Sequence, residues 1–212
     1  MNKKVASLRI QNIIRTILKI FLFVFYRLEV LGLENIPAKG EVLICPNHVS
    51  AMDIFFVGVK MKRLVRWMAK AELWDNKILG RLIELLGAFP VRRGKGDVGA
   101  IRTSIELIGE GEVVGIFAEG HRVKTSLKRG YKIHSGAAML AIKTSTPVIP
   151  VGVEGSGRLF GKVKVVFGEP YYIDADSTRD YKHAEYVEFS REIMRKAYGL
   201  VGQKVFDERG SK

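Results

Sequence analysis

The stretch Val42-Leu43-Ile44-Cys45-Pro46-Asn47-His48-Val49-Ser50-Ala51-Met52-Asp53 decides the fold. Val42–Cys45 is a short apolar run with β-branched residues and reads as a strand. Ile54–Lys60 reads as a short helix, so the polar residues between form a strand-exit loop that opens a helix. The same alternation continues outward. Val65–Ala69, Ala88–Val91, Val113–Phe117, Val148–Val153 and Lys162–Phe167 read as strands. Ile78–Leu86, Val98–Ile108, Ala137–Lys143 and Tyr181–Tyr198 have helical spacing. Strands alternating with crossover helices predict an α/β fold, a mostly parallel or mixed sheet flanked by helices. The chain has 212 residues, about 1.4 times the ~150 usual for one domain. That fits one α/β domain with an accessory segment.

The accessory segment is residues 1–27, and residues 28–212 are the α/β domain. The first 27 residues hold Lys3, Lys4, Arg9, Arg15, Lys19 and Arg27 and no acidic residue, so they carry six of the net charge of +13. Asn12, Arg15, Thr16 and Lys19 recur at steps of three and four and form one polar stripe on a helix. Ile10, Ile13, Ile14, Ile17 and Leu18 fill the other face, and Ile20–Tyr26 is apolar all round. That charge-free run is far shorter than the ~20 residues needed to span a bilayer, and no signal-peptide cleavage site follows. A basic amphipathic helix ending in Phe21, Phe23, Phe25 and Tyr26 reads as lying in a membrane interface. Packing on its own domain, with Lys and Arg solvated, is the other reading.

Charge and composition narrow the function. Hydrophobic residues are 47% and charged residues 27%, a globular composition that excludes a disordered chain. The excess of cations implies an anionic partner: nucleic acid, an anionic membrane or a phosphorylated substrate. Outside the apolar first helix the basic residues lack interleaved aromatics, which speaks against nucleic acid. The single cysteine, Cys45, excludes an intrachain disulfide and any multi-cysteine metal centre. It lies in an apolar strand and reads as packing. No G-x-S-x-G or H-E-x-x-H occurs, and the four histidines are too scattered to suggest a metal site. Gly94-Lys95-Gly96-Asp97-Val98-Gly99 matches the dinucleotide pattern G-x-G-x-x-G. Arg92 and Arg93 separate it from its strand, however, and it lies mid-chain.

Three constellations carry candidate chemistry. On a continuous helix His48 and Asp53 would sit about 140° apart. A loop that folds back brings them together, and the carboxylate then holds the imidazole in one tautomer, leaving its other nitrogen a directed base. Alternatively, Ser50-x-x-Asp53 is a capping box and Asp53 serves the helix start. At the end of a strand, Phe117-Ala118-Glu119-Gly120-His121-Arg122 offers a turn at Gly120 and a planar guanidinium suited to phosphate oxygens. A solvated turn is the plain reading. Phe89-Pro90-Val91-Arg92-Arg93 places two arginines after a strand, where they clamp a phosphate or are simply solvated. Residues 119–136 are the least regular inner stretch, and basic: Arg122, Lys124, Lys128, Arg129 and Lys132.

Read in order, His-x4-Asp, Phe-Pro-Val-Arg-Arg, Phe-x-Glu-Gly-x-Arg and Val148-Ile149-Pro150-Val151 resemble the glycerolipid acyltransferase family over roughly residues 28–170. The resemblance implies His48 as catalytic base and Asp53 as its orienting carboxylate. It implies Arg92 and Arg93 in the acyl-acceptor block, and Glu119, Gly120 and Arg122 in the block that binds glycerol phosphate. Val148–Val151 match an apolar block of structural or acyl-related role. Ala69-Lys70-Ala71-Glu72-Leu73 also resembles a family segment, which makes Lys70 a candidate for the oxyanion or phosphate. The third block commonly reads Phe-Pro-Glu-Gly-Thr-Arg-Ser; here Ala118, His121 and Val123 stand in place of Pro, Thr and Ser.

The implied reaction moves a fatty acyl group from an acyl thioester, on acyl carrier protein or coenzyme A, to the free hydroxyl of lysophosphatidic acid. No cofactor, metal or nucleic acid is expected. The partners are the thioester, a lysophospholipid and an anionic membrane surface, with the protein peripheral or shallowly inserted at the cytoplasmic face of the cell membrane. Glycerol 3-phosphate or another lysolipid as acceptor is the near alternative, and a non-catalytic basic membrane-surface module the distant one.

Overall fold

The computed structural model describes residues 3–92, 97–123, 132–155 and 157–205, with side chains from residue 10 onward. A long helix, α1 (Lys3–Phe25), leads into β1 (Arg27–Leu31). Then follow β2 (Val42–Pro46), α2 (Asp53–Gly58), β3 (Val65–Lys70), α3 (Lys77–Leu85), β4 (Phe89–Val91), α4 (Val98–Gly109) and β5 (Val113–Gly115). The chain continues through α5 (Gly136–Lys143), β6 (Val148–Glu154), β7 (Lys162–Phe167) and α6 (His183–Gly199). The seven strands run in the order β1-β7-β6-β2-β5-β3-β4. All pairs are parallel except β6–β7. The expected mostly parallel or mixed α/β sheet flanked by helices is what the chain adopts.

Burial explains the order. β2 lies at the centre and all five of its residues are buried, as an unbroken apolar run in a parallel sheet requires. Its side chains alternate between two cores. Val42 and Ile44 join Leu22, Tyr26, Phe56, Trp67 and Ile83 on one face, so α1, α2 and α3 cover that side. Leu43 and Cys45 join Leu107, Leu140, Ile193 and Tyr198 on the other, so α4, α5 and α6 cover it. Cys45 is fully buried there, and burial alone raises its thiol pKa far above the ordinary range. Asn76 starts α3 by accepting from the N–H groups of Ile78 and Leu79.

Three differences from the sequence reading have local causes. β1 was not separated from the apolar run before it; it is an edge strand whose charged and apolar residues alternate, and its register pairs Arg27 with Lys162. β5 ends at Gly115, two residues early; the Ile116 N–H still donates to the Ile44 carbonyl at 3.0 Å, and the chain then leaves for the turn that carries Glu119. A 3-10 helix at Ala71–Trp74 follows Lys70.

The first helix packs and exposes at once. Leu22 and Tyr26 are buried, and the Arg15 guanidinium donates to the Met61 carbonyl at 2.6 Å. Ile10, Ile13, Ile17, Ile20 and Val24, at steps of three and four, stand exposed along its outer side. Thus part of the polar stripe turns toward the protein and an apolar stripe turns away. Among the described residues, no helix is long and apolar enough to cross a membrane.

Candidate active site

His48 follows β2 at the carboxyl edge of the sheet, where open α/β sheets bind their ligands. Asn47 fixes the strand's last step: its amide donates to the Val153 carbonyl at 2.9 Å and accepts from the Val153 N–H at 2.6 Å. The loop then folds back. His48 Nδ1 lies 2.8 Å from Asp53 Oδ2. The same oxygen accepts from the Val49 N–H at 2.7 Å and the Ser50 N–H at 2.8 Å. The two readings of Asp53 are therefore compatible: one carboxylate gathers the loop amides at the start of α2 and also orients the imidazole. Asp53 is 0% exposed and the His48 side chain 12% exposed. The imidazole stacks on Phe117 with centroids 4.0 Å apart, and Phe117 stacks on Trp67 at 5.3 Å.

The opposite side of the loop has its own brace. Glu119 is 0% exposed. Its Oε2 accepts from the His48 N–H at 2.7 Å, and its Oε1 accepts from the Tyr198 hydroxyl at 2.6 Å. Desolvation pushes its carboxyl up to about 7, against the two hydrogen bonds, and the nearby charge of Asp53 adds to the rise. The sequence reading grouped Glu119 with the phosphate contacts. In the structure both carboxylate oxygens are bonded inside the protein, one to the His48 backbone and one to Tyr198. The His48 carbonyl also accepts from the Val123 N–H at 2.7 Å.

A cavity of about 320 Å3 opens beside this loop at the ends of β3, β4 and β5. Its wall includes Met68, Arg92, Phe117, Gly120, Lys132 and His134. Gly120 has φ +65°, and a Cβ there would fall 2.7 Å from the His134 ring, so the turn requires glycine. Arg92 is anchored through its backbone, whose N–H donates to Asp97 Oδ2 at 2.7 Å. Asp97 also caps α4, and these amides hold its carboxyl below the usual range.

The structure thus brings together His48, Asp53 and Glu119, and sets Arg92 and Gly120 in the adjoining cavity. Arg122 is exposed on the same turn but does not line the cavity. Lys70 is exposed, paired with Glu72 at 3.2 Å, and does not line it either. Arg93, Lys124, Lys128, Arg129 and the glycines Gly94 and Gly96 lie outside the described residues. Sequence reasoning missed Tyr198, 79 positions from its partner, and His134. It counted Lys132 only as part of a basic stretch.

A histidine paired with a buried carboxylate thus lies at the carboxyl edge of the sheet, beside a cavity whose charged lining includes Arg92, Lys132 and Asp97. The acyltransferase family model matches residues 27–154. The 1-acyl-sn-glycerol-3-phosphate acyltransferase of Bacillus subtilis (strain 168) is 34% identical over 161 residues, covering 73% of this chain and 79% of that one. A chloroplastic 1-acyl-sn-glycerol-3-phosphate acyltransferase of Arabidopsis thaliana is 26% identical over 166 residues, and the match covers 46% of its length. The crystal structure of the 1-acyl-sn-glycerophosphate (LPA) acyltransferase PlsC from Thermotoga maritima superposes with a TM-score of 0.68 at 25% identity, covering all of this chain and 85% of that one. The chain belongs to the acyltransferase family and is an O-acyltransferase.

Proposed function

We propose that the protein transfers a fatty acyl group from an acyl thioester to the free hydroxyl of lysophosphatidic acid, giving phosphatidic acid. The observation that carries this is the 2.8 Å contact between His48 Nδ1 and Asp53 Oδ2 on a loop beside a cationic cavity. In this reading the Nδ1 proton lies in the bond to Asp53 and Nε2 is the base. Nε2 takes the proton of the acceptor hydroxyl as its oxygen bonds to the thioester carbon. Asp53 stabilises the imidazolium that forms. The tetrahedral intermediate then collapses, the carbon–sulfur bond breaks, and the leaving thiolate takes the proton from His48. Positioned base catalysis of this kind contributes about 10²–10⁴-fold. A thioester is already activated, so direct transfer needs no enzyme nucleophile.

Arg92 and Lys132 in the cavity wall, with Arg122 on the turn beside it and Arg93, next in sequence to Arg92, supply cations for the acceptor phosphate. Glu119 positions the His48 backbone. The lipid acceptor and product place the reaction at a membrane surface. The exposed apolar stripe of α1, on a helix rich in Lys and Arg, docks the protein there as a peripheral or shallowly inserted protein, at the cytoplasmic face where soluble acyl carriers are found. Acyl carrier protein and coenzyme A are both anionic and both suit a chain of net charge +13 as donor carriers.

The test is thiol release from a long-chain acyl thioester in mixed micelles, with and without lysophosphatidic acid. Release should depend on the acceptor and fall at least about a hundredfold in His48→Ala. Equal release with glycerol 3-phosphate, or with a lysolipid lacking the phosphate, would move the acceptor assignment. Full activity in His48→Ala would remove His48 as the base.

A further inference from the structure

The connection between β6 and β7 carries two large apolar side chains in water. Leu159 is 58% exposed and Phe160 is 63% exposed. Phe160 also sits at φ +61°, a backbone conformation that costs a side chain with a Cβ free energy. Core packing does not account for that cost, because the ring lies at the surface. Its ring contact is with Phe25, centroids 5.8 Å apart, and its N–H donates to the Phe25 carbonyl at 2.7 Å. The tip of the connection is therefore fastened to the carboxyl end of α1. The exposed stripe of α1 ends at the same place, at Val24, with Phe23 beside it at 86% exposure.

Topology sets this tip on the catalytic edge. β6 runs parallel to β2, so the chain leaves β6 at the end of the sheet where it leaves β2 for His48. Direct contacts link the two. The Tyr26 hydroxyl donates to the Gly157 carbonyl at 3.3 Å. Gly157 packs so closely on Ser50 that a Cβ would fall 2.5 Å from its hydroxyl oxygen. The end of α1, the β6–β7 tip and the catalytic loop form one continuous edge.

We propose that Leu159 and Phe160 are a second membrane-inserting element, which with α1 fixes the tilt of the protein and turns the His48 loop toward the lipid headgroups. The proposal rests on the reading of α1 as a membrane-docking helix. The occupant of the patch is an anionic lipid bilayer. Lys19, Arg27, Arg158 and Lys162 stand exposed on the segments that form the patch. Apolar tips ringed by cations match an acyl layer beneath anionic headgroups. The nearby carboxylates, Glu29 and Glu154, share the register position of Lys164 on adjacent strands. The stripe of α1 anchors the protein along one line, and a second point of insertion limits rocking about that line.

The experiment uses the full chain and vesicles of phosphatidylcholine with phosphatidylglycerol. Phe160→Gly deletes the ring and suits φ +61°, so its thermal midpoint should equal or exceed the wild-type value. Its vesicle partitioning should fall about tenfold. Phe160→Cys carrying a polarity-sensitive dye, selective because Cys45 is buried, should shift to the blue when vesicles are added. Wild-type binding with undiminished Phe160→Gly binding and an unshifted dye overturns the second anchor and leaves α1 standing. Failure of the wild type to bind vesicles overturns both readings. A change in oligomeric state in Phe160→Gly with no change in vesicle binding assigns the patch to a second copy and also overturns the proposal.

Discussion

The His48 loop and the edge formed by α1 with the β6–β7 tip lie side by side, yet they are built by opposite rules. In the loop, polar groups are withdrawn from water and held by one another: one oxygen of Asp53, Oδ2, accepts three bonds, and Glu119 accepts from the His48 N–H. Along the edge, apolar groups stand in water: Ile13, Ile17, Ile20, Phe23 and Phe160 are exposed. Burying a carboxylate is costly unless donors compensate it, and leaving isoleucines exposed forfeits burial energy. The first cost gives a fixed geometry around His48. The second leaves an apolar surface in water.

The comparison is testable from either side. Asp53→Asn should have the largest effect, lowering kcat about a hundredfold while vesicle partitioning stays at the wild-type level. Parallel losses in both assays would show that loop and edge are one unit. Glu119→Gln should act mainly on pH dependence. In the wild type burial pushes the folded carboxyl up to about 7, and the unfolded one keeps the ordinary value of 4.5. Between these values the folded protein keeps a proton that the unfolded chain has lost, so stability falls as pH rises through that window and levels off above it. The glutamine variant should lack this fall, read from thermal midpoints across the window. An identical slope would place the titration elsewhere. Tyr198→Phe should be the mildest, lowering kcat about three- to tenfold with little change in KM, because it loosens Glu119 without touching substrate. A change confined to KM would assign Tyr198 to binding instead of positioning.

Much of the frame was legible in the sequence, because buried parallel strands are apolar runs and surface helices are periodic. β7 is found at the residues its alternation predicts, and β2 and β6 within one residue of their apolar runs. His48 and Asp53 were legible as a pair because their linkage is local, five residues along one loop. Glu119 was legible as a candidate site residue, but sequence places it beside Arg122 without showing which way its carboxylate turns. Tyr198 left no trace, since its partner is 79 positions away in the sequence and a tyrosine on an amphipathic helix reads as core. The exposed stripe of α1 was ambiguous for a related reason. Periodicity marks an apolar face without saying whether protein or lipid covers it.

The bond between Tyr198 and Glu119 joins residues 79 positions apart. The His48–Asp53 pair is local, yet the brace beneath it comes from α6, beyond every recognisable motif in the sequence. A fragment that holds all of those motifs but stops before α6 would lack one wall of the His48 loop.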